Sequence, residues 1–165
     1  SQGDAQFRRT IYAFWRRSAA PAFLFDNAKR RVCQVKTPIT NTPLQALTLM
    51  NDLTYLEASR VLARSAAISS DEQQEQIIFI YQHLLSRNPS ADELKIVRTQ
   101  LRELEIFYRS NPEQAKRYLR HGQPETIPGF ARESFNDSLQ QAPNLAALSS
   151  ITSMIMNLDE AITRE

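Results

Sequence analysis

Glycine is scarce. Only Gly3, Gly122 and Gly129 occur in 165 residues, and no two are spaced as a phosphate-cradling loop needs. A P-loop and a dinucleotide-binding fingerprint are therefore excluded. Cysteine is scarcer still: Cys33 is the single thiol, so no disulfide can form within the chain and no cysteine-based metal cluster can be built. The two histidines, His83 and His121, fall on different predicted helices, and no Cys-x-x-Cys-His haem-attachment run is present. Neither a metal nor any other cofactor is expected in this chain. Long apolar runs are also lacking. Residues 19–25 make the longest, and Pro21 interrupts it, far short of the ~20 residues that a membrane-spanning helix requires. No four-residue stretch alternates convincingly with β-branched residues, although residues 32–35 could form an isolated extended piece.

What remains is ample for a helical core. Apolar residues make up 42% of the chain and charged residues 23%. The net charge of +2 is unevenly spread. Residues 1–40 hold eight basic side chains against Asp4 and Asp26, and residues 41–165 hold twelve basic against sixteen acidic. A basic N-terminal segment thus precedes an acidic remainder and calls for an acidic partner. That partner is the remainder of the same fold, another domain, or a polyanion.

Prolines and capping residues divide the sequence into helices. Residues 7–17 place Phe7, Ile11, Phe14 and Trp15 at helical spacing among Arg8, Arg9, Arg16 and Arg17, which reads as a short amphipathic helix. Residues 18–40 show no period and contain Pro21 and Pro38. A loop of that length is usually functional or disordered. Thr42 followed by Pro43 predicts an N-cap and a first helical turn, with Leu44, Leu47 and Met50 in one stripe. Asn51 and Asp52 predict a break. A second helix follows over residues 53–66, with a stripe of Leu56, Ala58, Val61 and Leu62.

Ser70 to Gln73 reads as a capping box opening a helix to about Ser86, with Ile77, Ile80, Tyr81, Leu84 and Leu85 as its stripe. Ser90 to Glu93 reads as a second box, followed by Leu94, Val97, Leu101, Leu104 and Tyr108. Asn111-Pro112 opens a shorter helix ending at Gly122. Residues 122–130 read as a loop and 130–139 as a weak helix. Pro143 opens the last helix, with Leu145, Leu148, Ile151, Ile155, Leu158 and Ile162. The expected fold is all-α: an irregular bundle of six or seven helices with a long N-terminal loop. Residues 1–42 are expected to pack as a basic helix and loop on a bundle of residues 43–165, forming one domain.

Candidate chemistry is sparse. His83 and His121 sit where predicted helices end, and read as groups meeting the carbonyl end of the dipole. Asp71, Glu72, Glu75, Asp92 and Glu93 lie in first helical turns, where acids offset unpaired backbone N–H groups. Glu105–Arg109 and Glu113–Arg117 read as i,i+4 pairs on solvated faces. Asp159 and Glu160 sit in the last turn, the less favourable end for acids, and are expected to pair with basic residues of the N-terminal segment. Cys33, flanked by Lys29, Arg30, Arg31 and Lys36, is a small buried hydrophobe or a thiol of lowered pKa. Arg8, Trp15 and Arg16 belong to a mixture of cations and rings. That mixture suits docking onto an acidic bundle, stacking on sugars, or single-stranded nucleic acid. Asp26, Arg30, Asn41 and Gln45 are polar groups placed for a cleft, and Thr40 joins them in the densest polar stretch.

Three segments carry a family resemblance: RRTIYAFWRR at residues 8–17, FDNAKRRVCQVKTPITNTPLQALTLMND at 25–52, and MNLDEAITRE at the C-terminus. Together they resemble the C-terminal domain of unknown function fifteen-fifty-three, found in large multidomain proteins of planctomycetes and related bacteria. Residues 40–47, TNTPLQAL, reproduce its most specific block. Leu53 stands where that family tends to have Pro, and Ile39 where it tends to have Arg. The resemblance implies a tail domain of an exported or cell-envelope protein, with a cytochrome c-like module upstream and a link to polysaccharide use. It supplies no catalytic residues. On this basis the partners expected are upstream domains of the same polypeptide and a glycan, with nucleic acid ranked last. The functions expected are an interaction or scaffold module or, as alternatives, a carbohydrate-binding or carbohydrate-active domain and a nucleic-acid binder acting through the basic arm. The chain opens on Ser1 rather than Met and is expected to be a piece of a longer polypeptide.

Overall fold

A computed structural model describes residues 42–120 and 142–162. Seven helices and no strands occur among them: α1 (Pro43–Asn51), α2 (Leu53–Ser69), α3 (Gln73–Leu85), α4 (Ala91–Ser110), α5 (Pro112–Arg120), α6 (Ala142–Met156) and α7 (Asp159–Ile162). The expected all-α class is observed. The predicted helices over residues 7–17 and 130–139, the loops over 18–40 and 122–130, and the ends marked by His121 and Gly122 lie outside the described residues.

The bundle is organised around α6, which contacts each of the other six helices. Ten of its fifteen residues are buried, among them Leu145, Leu148, Ile151 and Ile155 of the predicted stripe. A helix apolar on every side belongs in the interior. Its polar residues are satisfied locally: Ser149 Oγ donates to Leu145 O at 2.7 Å and Thr152 Oγ1 to Leu148 O at 2.8 Å. The last turn differs from expectation. The helix breaks at Asn157-Leu158, so Leu158 is exposed, and Asp159 and Glu160 open α7 instead of closing α6.

The most extensive packing is of α2 on α6, and here the predicted stripe needs correction. Ala58 and Val61 are exposed, while Ser59, Ala63 and Ala66 are fully buried. Small side chains let two helix backbones approach closely, so the smallest residues of α2 face the central helix. The stripes on α3 and α4 match expectation: Ile77, Ile80 and Tyr81, then Leu101 and Tyr108, are buried, with Leu84, Leu85, Leu94, Val97 and Leu104 packed beside them.

Local caps divide the same way. Ser90 and Glu93 form the expected reciprocal box, Glu93 N to Ser90 Oγ at 3.3 Å and Ser90 N to Glu93 Oε2 at 2.7 Å. The box expected at Ser70 does not form. Ser70 is the C-cap of α2, its hydroxyl accepts from Glu72 N at 3.1 Å, and α3 starts without a side-chain cap. Asp52 breaks the chain between α1 and α2, and its carboxylate accepts from Thr54 N at 2.8 Å. Leu53 then occupies the first helical position, one where proline is also tolerated. The substitution of Leu for the family's Pro therefore leaves the break in place.

Candidate functional site

Thr42 caps α1 with a complete box. Gln45 N donates to Thr42 Oγ1 at 3.3 Å, and Thr42 N donates to Gln45 Oε1 at 2.6 Å. Pro43 follows at the first helical position. Gln45 is turned into the bundle and is 2% exposed, while Leu44 and Leu47 are 53% and 57% exposed. Met50, on the same helix, and Leu53, at the start of α2, are likewise about half exposed. The stripe predicted from spacing is present, but it points away from the bundle. Gln45 is the one buried residue of α1, Ala46 and Leu49 are half-buried, and Leu44 and Leu47 are turned to solvent, so much of the helix's apolar surface faces outward.

Helix α2 carries a largely buried ion pair that spacing alone did not single out. Glu57 is 5% exposed, and its carboxylate meets Arg60 at 3.9 Å, too long for a hydrogen bond. Arg60 Nε is buried with no hydrogen-bond partner among the described residues. Burial pushes the Glu57 carboxyl above the ordinary carboxylate range, with Arg60 opposing. Burial likewise lowers the Arg60 guanidinium, Arg64 adding to the shift and Glu57 opposing it.

A second charged cluster joins the α3–α4 turn to α7. Ser86 ends α3 in the left-handed region at φ 57°, and half-buried Arg87 follows it. The Arg87 guanidinium forks onto Glu93 at 2.7 and 2.9 Å and onto Glu160 at 2.8 to 3.1 Å, and lies 5.5 Å from the Tyr81 ring centre. Arg87, followed by the Ser90 backbone N–H, holds the Glu93 carboxyl down at about 2. The Glu160 carboxyl is lowered by the same guanidinium. Glu160 thus pairs with Arg87, where a residue of the N-terminal segment was expected.

The remaining polar groups are ordinary. His83 Nδ1 lies 2.8 Å from Phe79 O in the last turn of α3, as its position suggested, and its ring stacks on Phe79. Glu105 pairs with Arg109 at 3.4 Å but is largely buried, where it also accepts from Gln73 Nε2 at 2.8 Å. Glu113 pairs with Lys116 three residues on, in place of the expected Arg117. An open depression of about 290 Å³ lies between α4 and α5, lined by Phe107, Tyr108, Gln114, Arg117 and Tyr118. Beneath it the Tyr108 and Ser150 hydroxyls bond at 3.1 Å. Among the described residues no group of three His, Cys, Asp or Glu could hold a metal, and no helix is long and apolar enough to cross a membrane.

Of the residues picked from sequence, Gln45 is placed, and its side chain is a buried capping group. Arg8, Trp15, Arg16, Asp26, Arg30, Cys33, Thr40 and Asn41 lie outside the described residues. The profile of the family described as PSD1, protein of unknown function (DUF1553), matches residues 1–101. The chain belongs to the DUF1553 family. No curated protein and no solved structure matches it. The matched span runs through α1, α2 and α3 into α4, so the outward apolar band lies inside the DUF1553 match.

Proposed function

We propose that this DUF1553 domain is a helical interaction module and that the outward band of α1 is its contact surface. The observation that supports this is the outward apolar face of α1. Leu44, Leu47 and Met50 follow one another at three-residue intervals on α1 and Leu53 opens α2, all four about half exposed, while a glutamine is turned inward. Contiguous exposed apolar surface marks an interaction site. Fully burying one such side chain is worth about 1.5–3 kcal/mol, so covering the exposed half of each returns about 1 kcal/mol. The module sits at the tail of an exported, cytochrome-associated protein linked to polysaccharide use, and its partners belong to the same polypeptide, upstream domains among them. The resemblance in residues 8–17, 25–52 and the C-terminus supports that setting. Neither carbohydrate binding nor nucleic-acid binding is favoured by an observation on the described residues.

Leu47→Glu tests the reading. A contact in this chain is expected to show as lost unfolding free energy, and a contact with a second copy or an upstream domain as lost association in sedimentation. A variant that matches the parent in denaturant unfolding, in sedimentation and in binding to the upstream part of the same polypeptide would remove the surface from consideration.

A further inference from the structure

Resting on the contact-surface reading of α1, we propose that the occupant of its outward band is the chain's own basic-aromatic segment, residues 7–17. The segment's sequence places Phe7, Ile11, Phe14 and Trp15 at i, i+4, i+7 and i+8, a stripe that needs an apolar surface to cover it. The band on α1 is of matching kind and of similar length, with Leu44, Leu47 and Met50 at three-residue intervals.

Reach favours this occupant. Residue 42 caps α1 directly, so 24 residues separate the segment from the band. A chain of that length spans up to about 80 Å, whereas α1 is about 13 Å long. Tethering converts docking into an intramolecular event at an effective concentration of roughly millimolar order. Free association would have to succeed without that advantage. Four half-exposed side chains fall well short of the roughly 800 Å² that each partner contributes to a stable complex. A small band can therefore hold a tethered segment where it could not hold a second copy.

Charge favours it as well. Arg8, Arg9, Arg16 and Arg17 flank the apolar stripe. Helix α1 carries no charged residue, has no basic side chain in its last turn, and ends at exposed Asp52. Asp52, which caps the start of α2 through Thr54 N, is exposed and places a carboxylate at the end of α1 that arginines complement. A second copy would instead bring another Asp52 to the interface.

Trp15 is the single tryptophan, so its fluorescence reports the segment without labelling. In the full chain its emission is expected to be blue-shifted and shielded from acrylamide, independent of protein concentration. Leu47→Glu is expected to shift it to the red and raise quenching toward that of free indole, with helical circular dichroism retained. Met50→Gln, a milder change on the same band, guards against an unfolded Leu47→Glu and is expected to act in the same direction. The proposal is overturned if parental Trp15 emits and quenches like free indole. It is also overturned if its blue shift persists unchanged in both folded variants, or appears only as concentration rises. In any of these cases, altered association of Leu47→Glu would keep the contact surface and remove only this occupant, whereas unaltered association and stability would remove both.

Discussion

Arg87→Ala isolates the clasp that joins the α3–α4 turn to α7. The substitution removes the fork onto Glu93 and the fork onto Glu160 together. Glu93 provides the measure. Its carboxyl is held at about 2 against an ordinary 4.5, and at about 1.4 kcal/mol for each pKa unit this sets a ceiling of about 3 kcal/mol. The pair is about one-third exposed, with side-chain accessibilities of 35% and 31%, so solvent screening reduces the expected cost to about 1 kcal/mol. A domain of this size would then melt about 2–4 °C lower. The pH dependence follows from the direction of the shift. A carboxyl whose pKa is depressed by folding contributes its full stability above the unfolded value and loses it as pH falls through the folded value. The parent's advantage over Arg87→Ala is expected in full above about pH 4.5 and to shrink steadily toward pH 2, while Arg87 stays protonated throughout. Urea unfolding of both proteins across that range is the assay. Equal stability at neutral pH, or a gap that persists undiminished at pH 2, would refute the reasoning.

Two further outcomes are expected. Thr42→Ala removes the hydroxyl acceptor of the α1 box and is expected to cost about 1 kcal/mol in denaturant unfolding; no measurable change would contradict the capping role. Replacing Glu57 and Arg60 together with methionine is expected to leave stability unchanged or to raise it by about 1 kcal/mol or more, because the pair is buried, 3.9 Å apart and incompletely hydrogen-bonded. A clear loss on the double replacement would show the pair to be a net stabiliser.

Much of the fold was legible where the determining forces are local. The Ser90–Glu93 box, the Thr42-Pro43 start of α1 and the break at Asp52 depend on side chains within three residues of the backbone they satisfy. The stripes of α3 and α4 follow from spacing, because each of these helices has one face far more apolar than the rest, and α6 is marked as the interior helix by apolar residues all round it. Legibility failed where tertiary packing chose between options that the local sequence left open. The spacing of Leu44, Leu47 and Met50 announces a stripe but not the side of the helix on which the bundle lies. In α2 a leucine and valine stripe competed with a face of Ser59, Ala63 and Ala66, and close approach to α6 selected the small residues. Ser70 could open one helix or close another, and it closes α2. Glu160 finds its partner 73 residues away at Arg87, beyond any local pattern. Of the candidate site residues, Gln45 is explained by its cap, and the others fall outside the described residues.

The most direct test of the contact surface uses two methionines as a matched pair. Met50 on the α1 band is 47% exposed and Met154 on α6 is 45% exposed, so in the absence of an occupant they should oxidise alike. Mild peroxide treatment of the full chain, with sulfoxide formation followed at each residue by mass spectrometry, reads the difference. A covered band predicts that Met50 oxidises more slowly than Met154 and that Leu47→Glu removes the protection. Equal rates at the two positions in the parent chain would contradict the account.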